Sequence, residues 1–260
     1  MARTLLLFDI GNTTTKVGVA QEGSREEYTL RTDTSLTSDN LGLDLLALLA
    51  HAGHAPGDIE ACVATSVVPA VDPLLRAAVA RYVGCPVLFA PDDIPIPLEN
   101  RYRNPHEVGA DRLVGAYAAR RLFPDCPGLV VVDSGTALTF DCVQDSAYLG
   151  GLIFPGPHTA LAALAGKTAK LPHINLETAA TRPEPGRDTV TSIRHGILFG
   201  YAAMIDGLAR QLAGQLAGPV RVVGTGGFAG TLSRLGTGID EVRPGLLLAG
   251  LELLYRTYQP

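Results

Sequence analysis

LLLFDIGNTTTKVGV, residues 5–19, and LVVVDSGTALTFDCV, residues 129–143, are nearly the same sentence written twice. In each, an apolar run ends on an aspartate, Asp9 or Asp133, followed by one unconstrained residue, a glycine and a cluster of small hydroxyl or amide side chains. A short apolar run stopped by turn residues reads as a buried strand entering a turn, and the apolar segment beyond it as the returning strand of a hairpin. One such turn carries little information, because turns use Asp, Gly and Asn for conformational reasons alone. Two copies at equivalent places are hard to obtain from turn chemistry. They predict two α/β halves, each opening with a hairpin that presents an acidic turn, and a cleft between the halves as the default ligand site.

The segments around the two turns extend this pattern. EEYTLRT supplies a third strand to the first half, and Ser38 to His51 has helical spacing that ends at the Gly/Pro break GHAPGD. ACVATSVV reads as a buried strand, DPLLRAAVARYV as a helix opened by Asp-Pro, and VLFA as a further strand. PDDIPIPLENRYRNP is too rich in proline for a continuous helix or a central strand. DRLVGAYAARRLF is a helix, after which the second half repeats strand, turn and strand and continues with YLGGLIFPG. An Ala/Leu helix from about Thr159, a polar loop, the long helix TSIRHGILFGYAAMIDGLARQLAGQL, the strand VRVVGTGG and a last amphipathic helix complete it. The simplest partition is 1–115 and 116–260.

The chain has 260 residues, 47% of them hydrophobic, enough for a substantial core. Its net charge of −5 is spread without long basic or acidic runs, which disfavours nucleic acid and anionic membranes as partners. LLLF is stopped by Asp9, too early for a signal-peptide core or a membrane span. Cys62, Cys85, Cys126 and Cys142 form no Cys-x-x-Cys pair, which argues against zinc and a disulfide framework and fits a reducing cytoplasm. The six histidines show no metal spacing, and no Ser/His/Asp set stands out.

Chemistry concentrates in the turns. In Asp9–Lys16 the glycine lets backbone approach a phosphate, successive N–H groups and threonine hydroxyls donate, Lys16 adds charge, and Asp9 suits a hydrated Mg²⁺. Asp111, just after Gly109 and ahead of an apolar-periodic run, is placed for the first turn of a helix, where the dipole favours an ionised, proton-accepting carboxylate. Arg112 reads either as a carboxylate clamp or as a surface ion pair. Two look-alikes are set aside. LAALAGKT ends like a P-loop but has Leu161 where that motif needs its first glycine. VRVVGTGGFAG resembles a dinucleotide fingerprint with too little chain after it for a Rossmann half.

Paired Asp-x-Gly-Thr/Asn turns on ribonuclease-H-like halves resemble the superfamily of actin, hexokinase and heat-shock ATPases, in which the two turns grip nucleotide phosphates. NPHEVGADR (104–112), DSGTALTFD (133–141), GRDTVTSIRHGILFGY (186–201) and GTGGFA (224–229) narrow the resemblance to type III pantothenate kinases, in order and across essentially the whole chain. The resemblance implies ATP contacts at Asp9, Ile10, Gly11, Asn12, Thr13, Thr14, Thr15, Lys16 and Thr136. It implies pantothenate contacts at Tyr102, Gly109, Ala110, Asp111, Arg112 and Thr189, with Asp111 as general base. Asp133 then holds a monovalent cation, K⁺ or NH₄⁺, while Mg²⁺ lies near Asp9 through water. The glycine-rich turn falls near the adenosine. The implied protein is a cytoplasmic homodimer that phosphorylates pantothenate for coenzyme A synthesis. Two other readings stand beside it: a transcriptional accessory protein of the same family, and a related kinase or phosphatase acting on another metabolite.

Overall fold

The protein, seen in a computed structural model, is described over residues 4–166 and 174–258. Strands β1 (Thr4–Ile10), β2 (Thr14–Gln21) and β3 (Ser24–Arg31) form an antiparallel meander, and β4 (Ile59–Ser66) and β5 (Val87–Phe89) add in parallel on the other side of β1. The spatial order is β3-β2-β1-β4-β5. Helices α1 (Ser38–His51) and α2 (Asp72–Tyr82) supply the crossovers that parallel neighbours require. Thr37 starts α1 by accepting the Asn40 N–H on its side chain, and Pro73 lies in the first turn of α2, where no N–H is needed.

The second sheet has the order β11-β10-β7-β8-β9-β6. Here β7 (Gly128–Ser134), β8 (Ala137–Gln144) and β9 (Ala147–Pro155) repeat the antiparallel meander, and β10 (Val220–Thr225) and β11 (Glu241–Val242) repeat the parallel addition. The written repeat is thus a repeat of topology. β6 (Glu99–Asn100), from the proline-rich stretch, adds at the edge, where missing N–H donors are tolerated. The segment from β9 to β10 carries α4 (Pro157–Gly166) and α5 (Thr189–Ala213), and α6 (Ala229–Leu235) joins β10 to β11. The Ala/Leu stretch that imitates a P-loop is helical as far as Gly166, while Lys167 and Thr168 lie outside the described residues.

Strand alternation sorts the first unit into two cores. Leu6, Phe8 and Ile10 point to one face and pack with Leu45, Leu49, Leu75 and Val79 of α1 and α2. Leu5 and Leu7 point to the other face and pack with Val114 and Tyr117 of α3 (Ala110–Leu122) and with Leu247, Leu251 and Leu254 of α7 (Leu246–Thr257). Each such fully buried leucine contributes about 2 kcal/mol. Gly250 lets α7 lie close to α3, since a Cβ there would stand 2.7 Å from the Val114 carbonyl oxygen. The last helix therefore belongs with the first sheet. Residues 4–98, 104–118 and 245–258 form one compact unit and 99–103 with 119–244 the other, so the units interleave along the chain where the sequence reading draws one cut at 115/116. In the second unit Val130, Val132, Leu138 and Phe140 pack against Ile205 and Ala209 of α5. Among the described residues, no helix is long and apolar enough to cross a membrane.

Candidate active site

In the first unit, Asp9 closes β1 opposite Lys16 of β2, with Lys16 Nζ 3.8 Å from Asp9 Oδ2. Between them the Gly11 N–H donates to the Thr14 carbonyl at 3.1 Å. Asn12, Thr13 and Thr14 stand exposed at the tip. Thr32, just beyond β3, fixes the turn from outside. Its N–H donates to Thr13 O at 3.1 Å, its hydroxyl donates to Gly11 O at 2.7 Å, and Thr15 Oγ1 lies 2.9 Å from the same hydroxyl.

Alternation puts Asp9 on the sheet face of Leu5 and Leu7, the face that α3 covers. Asp111 occupies the second position of α3, one turn ahead of the buried Val114. Val67 links the two aspartates. Its N–H donates to Ile10 O at 3.0 Å, and its side chain lies 3.6 Å from where a Cβ on Gly109 would stand. That Cβ would also meet Asp111 Oδ1, so this carboxylate lies directly against Gly109. Asp111 Oδ1 accepts at 2.8 Å from the Arg112 N–H, which also donates to the Gly109 carbonyl at 3.1 Å, in the first turn where the helix dipole favours a carboxylate. Asp9, Lys16, Gly109, Ala110, Asp111 and Arg112 are thus gathered within one unit. Thr65, paired with Asp9 across β1 and β4, is fully buried on the same face, and its hydroxyl has no hydrogen-bond partner among the described residues.

The second unit holds Asp133, Thr136, Tyr102 and Thr189. Asp133 ends β7 and pairs with Thr139 of β8, and Thr136 is exposed at the tip. The Thr136 carbonyl accepts from the Gly156 N–H at 2.8 Å and from the Thr159 hydroxyl at 2.6 Å. The glycine-rich turn presses on this aspartate. Gly226 has φ +86°, and a Cβ on it would lie 2.3 Å from Asp133 Oδ1 and 2.7 Å from the Ser134 nitrogen. The sequence reading assigns that turn's glycines to room for a nucleotide base. At Gly226 the requirement comes from the protein's own packing, whereas Gly227 faces open space.

Tyr102 packs its ring against Gly150, where a Cβ would stand 3.2 Å from the ring, and lies 6.5 Å centroid to centroid from Tyr148. Tyr148 is buried and donates its hydroxyl to Asp141 Oδ1 at 2.8 Å, and Thr139 donates to the other Asp141 oxygen at 3.1 Å. This buried network backs the Tyr102 ring. Thr189 is exposed and opens α5 just after its N-cap, Asp188. The Thr191 N–H and then its hydroxyl, both bonded to Asp188, hold that carboxylate below its ordinary range.

The sequence reading missed Thr32, Thr65, Tyr148 and Asp141. Thr32 and Thr65 carry no local motif, and what distinguishes them is a strand partner distant in sequence. Asp141 and Tyr148 stand within quoted motif stretches but read there as ordinary strand residues. Among the described residues no three His, Cys, Asp or Glu side chains are gathered as a metal cage.

Two meanders of one topology, each ending β1 or β7 in an aspartate-bearing turn, define an actin-like two-domain phosphotransferase fold. Component A of the (R)-2-hydroxyglutaryl-CoA dehydratase of Acidaminococcus fermentans shares it at 17% identity, TM-score 0.54, over 98% of this chain and 97% of its own. A Campylobacter jejuni protein named for the Baf family of transcriptional activators shares it at 18% identity, TM-score 0.59, over 96% and 97%. Residues 5–211 match the family model for type III pantothenate kinase, and a type III pantothenate kinase of Desulfovibrio desulfuricans is 60% identical over 256 residues, 98% of this chain and 97% of its own. The chain belongs to the type III pantothenate kinase family.

Proposed function

We propose that this protein transfers the γ-phosphoryl group of ATP to the primary hydroxyl of pantothenate, giving 4′-phosphopantothenate in the first step of coenzyme A biosynthesis. The observation that carries the reading is the placing of Asp111. Its carboxylate lies at a helix start, against Gly109, on the sheet face that also carries Asp9. Phosphoryl transfer asks little covalent chemistry of a protein and much positioning. Asp111 takes the hydroxyl proton as that oxygen attacks phosphorus. Arg112, Gly109 and Ala110 with Tyr102 and Thr189 bind pantothenate. The N–H groups and hydroxyls of residues 10–15, with Lys16 and Thr136, hold ATP phosphates.

The donor sets fit the implied cations. Mg²⁺ in nucleotide sites uses one or two carboxylates completed by phosphate and water, and Asp9 supplies one such carboxylate. Asp133 offers an oxygen in a cradle that any Cβ at Gly226 would fill, which suits a weakly bound K⁺ or NH₄⁺. When bound, both cations offset phosphate charge. A homodimer working in the cytoplasm completes the proposal.

Phosphorylation of labelled pantothenate with ATP, Mg²⁺ and K⁺ tests it. Asp111→Asn lowers kcat about 10²- to 10⁴-fold while the circular dichroism spectrum stays unchanged, and full activity in that variant removes Asp111 as base. Exchange of all K⁺ and NH₄⁺ for Na⁺ lowers the rate, and an unchanged rate removes Asp133 as the cation ligand.

A further inference from the structure

The strongest unassigned cluster is a pair of thiols in the first unit. Cys62 is fully buried in β4, and Cys85 is half-buried in the Gly84-Cys85-Pro86 turn that leads into β5. The Cys62 N–H donates to the Pro86 carbonyl at 2.9 Å, and Cys62 pairs with Val87, so backbone ties hold the two segments together. The two sulfurs stand 3.5 Å apart. Both cysteines are reduced, and a contraction of roughly 1.5 Å would bring the sulfurs to the bond length of a disulfide, about 2.05 Å. A separation of 23 positions hides this proximity in the sequence.

We propose that Cys62 and Cys85 form a redox-active dithiol, a modification site at which a peroxide converts two thiols into a reversible intramolecular disulfide. The two thiols have different roles. The hydrogen bond from Cys62 draws the Cys85 thiol below its ordinary range, and the same contact together with burial pushes Cys62 well above it. Cys85, which solvent reaches, is therefore the attacking thiolate, and Cys62 is the resolving thiol. The Cys85 thiolate attacks one oxygen of the peroxide, the O–O bond breaks, hydroxide (or alkoxide from an alkyl peroxide) leaves, and Cys85 becomes a sulfenic acid. The Cys62 sulfur then attacks the Cys85 sulfur, the S–O bond breaks, and water leaves with the Cys62 proton. In sum, two thiols lose two electrons and two protons to the peroxide.

The other two cysteines are internal controls. Cys126 is also half-buried, but its sulfur donates to the carbonyls of Gly128 at 3.2 Å and Pro219 at 3.4 Å and not to another thiol. Cys142 is buried. The inference is independent of the kinase reading.

The test uses the full chain, reduced, exposed to hydrogen peroxide, then denatured with N-ethylmaleimide and mapped by peptide mass spectrometry. The expected result is a mass loss of about 2 Da in the oxidised protein, a Cys62–Cys85 cross-linked peptide, N-ethylmaleimide on Cys126 and Cys142, and full reversal by dithiothreitol. In Cys62→Ser the cross-link disappears and dimedone traps a sulfenic acid at Cys85. In Cys85→Ser, which changes only the half-buried partner, Cys62 stays alkylatable after peroxide. Any of three outcomes overturns the proposal: wild-type Cys85 passing to sulfinic acid with Cys62 still free, a cross-link to Cys126 or Cys142 instead, or oxidation of Cys126 before Cys85.

Discussion

The Asp9 and Asp133 turns share a skeleton and differ in what is attached to it. In both, the turn glycine donates across the loop, Gly11 to Thr14 and Gly135 to Ala137. In both, the residue following the third strand donates its N–H to the turn, Thr32 to Thr13 and Gly156 to Thr136. The facing residue differs, being Lys16 opposite Asp9 and Thr139 opposite Asp133. The anchor differs too. A hydroxyl ties each turn, Thr32 to Gly11 and Thr159 to Thr136, but only in the second do glycines, Gly156 and Gly226, also stand where no Cβ fits. One turn faces a cation of the protein's own, Lys16, and the other faces a neutral hydroxyl residue, Thr139.

The sharpest way to break this comparison is Gly226→Ala. The substitution meets an unfavourable φ of +86° and a contact of 2.3 Å with the Asp133 carboxylate, and a loss of about 3 kcal/mol is expected, readable as a lowered midpoint in urea unfolding. Gly227→Ala, one residue on and facing open space, is the control and stays within about 0.5 kcal/mol. Lys16→Met comes next. It leaves the fold intact and lowers kcat/KM for ATP about 10- to 30-fold in steady-state assays, because a charge on the phosphates is lost. The smallest effect belongs to Thr32→Val, which keeps shape and removes the hydroxyl bonds to Gly11 and Thr15. About 1 kcal/mol of stability is lost, measurable by thermal unfolding.

Much of this was legible in the residues themselves. Ser38–His51 is a helix at the boundaries its spacing predicts, and the duplicated strand–turn–strand text became duplicated topology, because burial on both faces demands near-continuous apolar runs. β6 and β11, two residues each, are too short to leave a periodic signal. The seven-residue α6 has no separate place in the sequence reading, which passes from VRVVGTGG to one last amphipathic helix. At the site, Asp9, Lys16, Asp111 and Asp133 stood out through their neighbours in sequence. Thr32, Thr65 and the Asp141–Tyr148 pair did not, because their significance lies in strand register and in burial. The reason for Gly226 was also hidden, since its partner Asp133 lies in a distant strand. The place of the last helix was equally out of reach, because an amphipathic face states that it must be covered and not by what.

That helix has a consequence for biosynthesis. The first sheet leaves the ribosome well before Leu247, Leu251 and Leu254, which help to close one of its faces and are translated only after the second unit. While the second unit is being made, Leu5, Leu7 and Val63 have α3 but lack α7 as cover, an interval in which a nascent chain is open to chaperones and to aggregation. The unit begun before the other is completed after it, and a message cut short before α7 yields a chain whose first sheet keeps one face only partly covered.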